Sequence, residues 1–92
     1  MKKLILQDEK RCFICGAVCG LHRHEIFFGP HRSNSIKYGL QLWLCGPHHN
    51  LGNYSPHHNR AVDEMLKRYG QQKFEEVYGH EKFMEVFKRN YL

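Results

Sequence analysis

The sequence contains no apolar run of membrane-spanning length and no apolar stretch typical of a secretion signal near its N-terminus. Leu4, Ile5 and Leu6 are followed at once by the polar residues 7–10. Because such runs are missing, we expect a cytoplasmic protein without a membrane partner.

Acidic residues are also few, nine against fourteen lysines and arginines, which gives a formal charge of +5. The positive charge favours a polyanion such as nucleic acid, with an anionic membrane surface as the weaker alternative.

Cysteines are few but grouped. With 92 residues the chain is expected to form a single domain, residues 1–92, of a size at which one apolar core gives modest stability and a structural metal adds to it. The four cysteines could form disulfides, but in a cytoplasmic protein they more often bind metal. Metal binding is therefore the first hypothesis for them.

The spacing of these cysteines is typical of zinc ligands. Cys12 and Cys15 form a CxxC half-site, and after twenty-nine intervening residues Cys45 and His48 form a CxxH half-site. Two such half-sites can close a tetrahedral site whose thiolates and imidazole suit Zn²⁺. Two alternatives stay open: Cys19 could replace one of the thiolates, and His49 could replace His48. In the first assignment His49 is left over for another role.

Hydrophobic periodicity predicts an α+β fold. Residues 21–28 and 40–44 read as two strands that pair antiparallel around a polar, basic loop at 28–39. Residues 4–6 are expected to pack as a short strand. Ser55 is a plausible N-cap, with Pro56 at the first helical position.

The C-terminal third is expected to consist of helices with apolar core-packing faces. A first helix ends before Gly70, a short second one ends at Gly79, and a third spans about residues 80–90. The expected core-facing residues are Ala61, Val62, Met65, Leu66, Tyr69, Phe74, Val77, Tyr78, Phe83, Met84, Phe87 and Tyr91.

The chain resembles the zinc-stapled ββα-metal core of HNH endonucleases, a core also called the His-Me finger. The resemblance lies in the order of its elements, which is half-site, strand, loop, strand, half-site and helix. This resemblance covers residues 12–60, with residues 61–92 as an extension of two or three helices. The residues that carry it are Cys12, Cys15, His24, Cys45, His48 and His49. Residues 22–29 (HRHEIFFG), 32–39, 44–50 (LCGPHHN), His57, Asn59 and 83–92 extend the similarity to small HNH proteins of phages and prophages, relatives of Ref-type recombination nucleases.

The resemblance implies a metal-dependent endonuclease that nicks or cuts DNA with low sequence specificity and is encoded by a phage or prophage. It implies a structural Zn²⁺ on Cys12, Cys15, Cys45 and His48, and Mg²⁺ or another divalent ion on His24, His49 and His57. The catalytic candidates are His24, Glu25 and His49, where His24 is either general base or metal ligand. Asn34 or Asn50 would be the middle asparagine of the HNH name. Arg23, Arg32, Lys37 and Arg60 are candidates for gripping DNA phosphates.

Two other hypotheses accompany the nuclease. One is a zinc-stabilised DNA-binding module without catalysis. The other is a phage recombination or packaging accessory protein that docks a protein partner through its C-terminal helices.

Overall fold

In a computed structural model, the described residues form a two-stranded antiparallel hairpin and three α-helices. The structure describes residues 3–52 and 55–92, with residues 50 and 51 described by their backbone. Strand β1 (Leu21–Glu25) pairs with β2 (Gln41–Cys45), and Arg23 lies opposite Trp43 in the register. Between the strands lie a 3-10 turn (Gly29–His31) and helix α1 (Arg32–Tyr38). The predicted α+β class is confirmed.

After β2 the chain makes a π-helical turn (Pro47–Leu51) and then two helices, α2 (Arg60–Tyr78) and α3 (His80–Phe87). Side chains from the hairpin and both helices form one core. Its most deeply buried members are Ile26, Phe27, Leu40, Leu42, Leu44, Leu66, Phe74, Phe83 and Phe87. The core packs on one face of the hairpin, because Leu42 and Leu44 alternate with the partly exposed Gln41 and Trp43.

The predicted polar loop at 28–39 is wrong, since most of it is helical. Gly29 has φ +68, which ends the extended chain soon after β1, and Gly39 with φ +77 ends α1. Inside the helix the buried Ser35 hydroxyl accepts a hydrogen bond from the Phe27 N–H (3.0 Å) and donates one to the Phe27 carbonyl (2.7 Å). These local bonds fold the segment back against the hairpin, so β1 ends at Glu25 and not at Phe28.

The predicted start of the long helix is also wrong. Ser55 does not cap a helix; its hydroxyl and its N–H both bond the Gly52 carbonyl, which closes a turn. The N-cap of α2 is Asn59, whose side chain accepts from the Val62 N–H at 3.1 Å. Helix α2 therefore begins at Arg60.

Gly70 does not end the helix either, so the two predicted helices are one. It is buried within α2, where an added Cβ would come within 3.1 to 3.2 Å of the Ile26 and Phe27 side chains. Gly70 thus allows α2 to approach the hairpin closely. Two residues expected in the core, Met65 and Val77, lie on the exposed side of α2 at 47% and 43% exposure. Ala61 is exposed as well.

Both ends of the described chain pack on this body. The Leu4 N–H donates to the Tyr38 carbonyl at 2.9 Å, but residues 4–6 form no strand in the part that the structure describes. Helix α3 ends at Phe87, earlier than expected, because Lys88 adopts a left-handed conformation with φ 63. Tyr91 then returns to pack against Phe27, with ring centroids 5.4 Å apart.

Candidate metal centres

Four sulfur and nitrogen ligands meet at the end of the hairpin. One side-chain atom each from Cys12, Cys15, Cys45 and His48 lies within 4.8 Å of the others. Cys15 Sγ is 3.6 Å from Cys45 Sγ, and Cys45 Sγ is 3.1 Å from His48 Nδ1. Two thiolates on one tetrahedral zinc lie about 3.8 Å apart, from Zn–S bonds of about 2.3 Å. The Cys3His cluster is compatible with a structural metal.

Backbone hydrogen bonds bring the two halves of this Cys3His cluster together. The CxxC turn is closed by the Gly16 N–H, which donates to the Cys12 carbonyl at 2.8 Å, and Gly16 has φ +80. The turn is fastened to β2 by the Phe13 N–H, which donates to the Trp43 carbonyl at 2.8 Å. Cys45 is the last residue of β2, so the strand itself carries the third sulfur into the cluster.

The thiols of the Cys3His cluster influence one another. Burial acts to raise the pKa of Cys12, but hydrogen bonding with the backbone of Cys45, Cys15 and Ile14 lowers that pKa to about 6. Burial and the neighbouring Cys15 and Cys12 sulfurs raise the pKa of Cys45. Like charges at this distance disfavour each other, so a cation is needed for several thiolates to coexist. Cys19 is an exposed free thiol outside the cluster.

Three histidines form a second cluster. Side-chain nitrogens of His24, His49 and His57 lie within 4.8 Å of one another. Their ring centroids are 5.3 Å (His24 to His49), 5.4 Å (His24 to His57) and 4.9 Å (His49 to His57) apart. His24 comes from β1, His49 from the π-helical turn, and His57 from the turn before α2.

His24 is the most deeply buried residue of this histidine cluster. It is 1% exposed, and its Nε2 atom has no hydrogen-bond partner among the described residues. Burial is the largest cause, and together with the charges of His49, His57 and Lys67 it lowers the pKa of His24 to about 3. A buried polar nitrogen without a partner is costly, and a neutral imidazole is the form that binds metal. The donor set and the orphaned Nε2 fit a divalent cation.

The pKa of His49 is lowered as well. Burial lowers its pKa, His57 and His22 add to that effect, and Glu25 opposes it. His22 lies close by, with its Nδ1 atom 3.0 Å from His49 Nδ1. Glu25 itself accepts a hydrogen bond from Arg32 Nε at 2.7 Å, and its side chain is 12% exposed.

Lys67 is a neighbour of the histidine cluster that sequence reasoning missed. Its ammonium group pairs with Asp63 at 2.9 Å, lies 4.5 Å from the centroid of the Phe28 ring and lowers the His24 pKa. The Phe28 ring in turn packs on His57, with centroids 4.8 Å apart. The signal available in the sequence was the i, i+4 acid and base pair on an otherwise apolar helix face.

The four basic residues predicted to grip DNA phosphates each contact a different neighbour. Arg23 covers the Trp43 ring and Arg60 pairs with Glu64, both on the exposed surface. Lys37 lies over the Tyr38 ring, and Arg32 contacts another predicted site residue, Glu25. Within the described residues no hydrogen bond joins Asn34 to His24, and the side chain of Asn50 lies outside the described part.

Comparison of the chain with models of known protein families, with curated proteins and with solved structures gives no match. Among the described residues no helix is both long and apolar enough to span a membrane.

Proposed function

We propose that the protein is a metal-dependent HNH-type endonuclease that hydrolyses phosphodiester bonds of DNA on a zinc-stapled ββα-metal fold. The single observation that carries this proposal is the convergence of His24, His49 and His57 beside a separate Cys3His cluster. The order of β1, β2, the π-helical turn and α2 supports the fold assignment. The positive charge of the chain supports DNA as the partner.

The assignment of His24 follows from its environment. Its Nε2 atom is buried, unpartnered and grouped with two other imidazoles, which suits a metal ligand better than a base that must meet water. In this proposal His24, His49 and His57 hold the cation. A divalent cation bound there would neutralise charge that develops on the phosphoryl and leaving oxygens. Three imidazoles favour ions such as Ni²⁺, Co²⁺ or Zn²⁺ over Mg²⁺, which prefers oxygen ligands.

Glu25 is then the candidate general base. The HNH pattern pairs a metal ligand with an adjacent catalytic histidine, and here Glu25 follows His24 directly. Arg32 Nε bonds its Oε1 atom at 2.7 Å, which orients the carboxylate and leaves Oε2 to accept a proton from the attacking water. At this position the chain has a glutamate where the HNH pattern has a histidine.

A plasmid-nicking assay tests the function. Zinc-loaded protein is incubated with supercoiled plasmid and Mg²⁺, Mn²⁺, Co²⁺ or Ni²⁺ in turn. Wild type should form open circles with at least one ion, and His24→Ala should form none. His80→Ala, which removes a histidine of α3 that is not in the cluster, should match wild type. Undiminished nicking by His24→Ala with its zinc retained would contradict the proposal.

Variants of Glu25 test the base separately. Glu25→Gln should lower the nicking rate by about 10²-fold or more, because general-base catalysis typically contributes that much. Glu25→His should retain activity, since it restores the pairing of the family pattern. Loss of activity in Glu25→His and full activity in Glu25→Gln would move the base to another residue.

A zinc-stabilised DNA-binding module without catalysis is the second candidate. The observation in its favour is the Glu25–Arg32 ion pair, because Arg32 already engages the Glu25 carboxylate and only 12% of that side chain is exposed to the water it would have to activate. Steeply salt-dependent binding to duplex DNA, with no open circles under any of the four ions, would favour this candidate.

A further inference from the structure

His22 touches the histidine cluster without being part of it. It lies on β1 two residues before His24, so both side chains project from the same face of the strand. Its ring meets that of His49 edge to face, with centroids 5.1 Å apart and the two Nδ1 atoms 3.0 Å apart. The cluster of mutually close nitrogens comprises His24, His49 and His57. His22 therefore has a different relation to the site from these three.

We propose that His22 is a positioning residue that fixes the ring orientation and the tautomer of His49, so that His49 presents Nε2 to the cation. This role rests on the proposed function of the histidine cluster. Histidines that bind metals commonly hydrogen-bond a further protein group through their other ring nitrogen, and that bond orients the ligand.

The protons on the two rings follow from the contact. Two nitrogens 3.0 Å apart share one hydrogen bond, so one Nδ1 donates and the other accepts. A His49 ring that binds a cation through Nε2 must carry its proton on Nδ1. His49 Nδ1–H then donates to His22 Nδ1, and His22 keeps its own proton on Nε2.

The strand geometry explains why a histidine can do this. His22 lies opposite Leu44 in the hairpin, one residue before Cys45, and the chain then turns through residues 46–48 to return His49 over β1. The His49 ring thus lies within reach of both His22 and His24. An apolar residue at position 22 would fit the partly buried strand but would leave His49 Nδ1 without this acceptor.

A matched pair of variants isolates the acceptor. His22→Asn keeps an acceptor near the position of Nδ1, whereas His22→Leu removes it and remains compatible with a strand. Zinc-loaded protein is titrated with Co²⁺, and the affinity of the second site is measured by calorimetry, with zinc content and melting temperature recorded alongside. His22→Leu should bind Co²⁺ about 10- to 100-fold more weakly than wild type, and His22→Asn should lie between them.

The tautomer gives a readout that a merely structural role would not change. In wild-type protein with a second equivalent of Zn²⁺, long-range ¹H–¹⁵N spectra should show His49 protonated on Nδ1 and bound through Nε2. The opposite tautomer would overturn the proposal even if His22→Leu failed to fold. Co²⁺ affinity of His22→Leu within twofold of wild type would overturn it too.

Failure of the proposed function would look different. If wild-type protein bound no second ion, the histidine cluster would not be a metal site, and the role of His22 would fall with it. If wild type bound the ion and nicked DNA while His22→Leu matched it in both, the function would stand and only the positioning role would be lost.

Discussion

His48 and His49 are neighbours in the chain, yet their rings belong to different clusters. His48 Nδ1 is 3.1 Å from Cys45 Sγ, whereas His49 joins His24 and His57. The π-helical turn that carries both residues is what divides them, because consecutive side chains of a helical turn point in different directions. A metal in the Cys3His cluster would therefore also set the position of His49.

The first prediction concerns the Cys3His cluster itself. Cys12→Ser should lower zinc content well below one per chain and remove most of the folding free energy, because structural zinc sites in small domains contribute folding energy directly. Cys19→Ser is the matched control, since Cys19 is exposed and lies outside the cluster. Elemental analysis and thermal melts check both variants. Equal zinc content and melting temperature for Cys12→Ser and wild type would contradict the assignment.

The second prediction concerns the buried Gln71. Its Nε2 atom donates to Glu75 and to Asn90, both at 2.7 Å, and its Oε1 atom accepts from the Tyr91 N–H at 2.7 Å. Gln71→Met removes all three bonds at similar volume and should lower the free energy of unfolding by about 1 to 3 kcal/mol. Denaturant titration measures it, with the exposed Gln72→Met as control. A loss of unfolding free energy no larger than that of the control would show that packing alone holds the C-terminal residues Asn90 and Tyr91.

The third prediction concerns the end of α3. Lys88 has φ 63, a left-handed conformation that costs a non-glycine residue about 1 to 2 kcal/mol. Lys88→Gly should therefore raise the free energy of unfolding by about 1 kcal/mol. The greater conformational entropy that glycine gives the unfolded chain offsets part of this gain. The same change at Arg89, which has no such conformation, should give no gain. Chemical denaturation compares the two, and a stabilisation confined to Arg89→Gly would refute the assignment of the strain.

The fourth prediction concerns acid stability. Burial acts to raise the pKa of Glu75, but hydrogen bonds from Gln71 and His80 and the charge of His80 outweigh it and lower that pKa below its usual 4.5. The folded protein thus prefers the ionised carboxylate. This contribution to stability is present above about pH 4.5 and is lost as pH falls through the lower folded-state value. Glu75→Gln should flatten the stability curve below pH 4.5. An unchanged slope in denaturation from pH 5 to 3 would argue against it.

Local patterns predicted the hairpin and the residues of the Cys3His cluster, the family resemblance predicted those of the histidine cluster, and tertiary contacts decided what these signals missed. The two-residue spacers of Cys12–Cys15 and Cys45–His48 are local, and β2 was predicted within one residue. Helix α1 was missed because its polar sequence resembles a loop, and it is held by hydrogen bonds between Ser35 and the Phe27 backbone, which lies outside the helix. Gly70 looked like a helix end, but its purpose is close contact with Ile26.

The candidate site shows the same division. His24 could be recognised from the resemblance, but its assignment as ligand and not base required its burial and its unpartnered Nε2 atom. The contact of His22 with His49 spans twenty-seven residues and depends on the return of the chain after β2. No spacing rule links two such positions.

The most direct test of the account is a crystal structure of zinc-loaded protein soaked in Co²⁺, with anomalous maps recorded at the Zn and Co absorption edges. The account predicts a zinc peak bonded to Cys12, Cys15, Cys45 and His48, and a cobalt peak bonded to His24 Nε2, His49 and His57. A map in which those three rings point apart, with no cobalt among them, would contradict it.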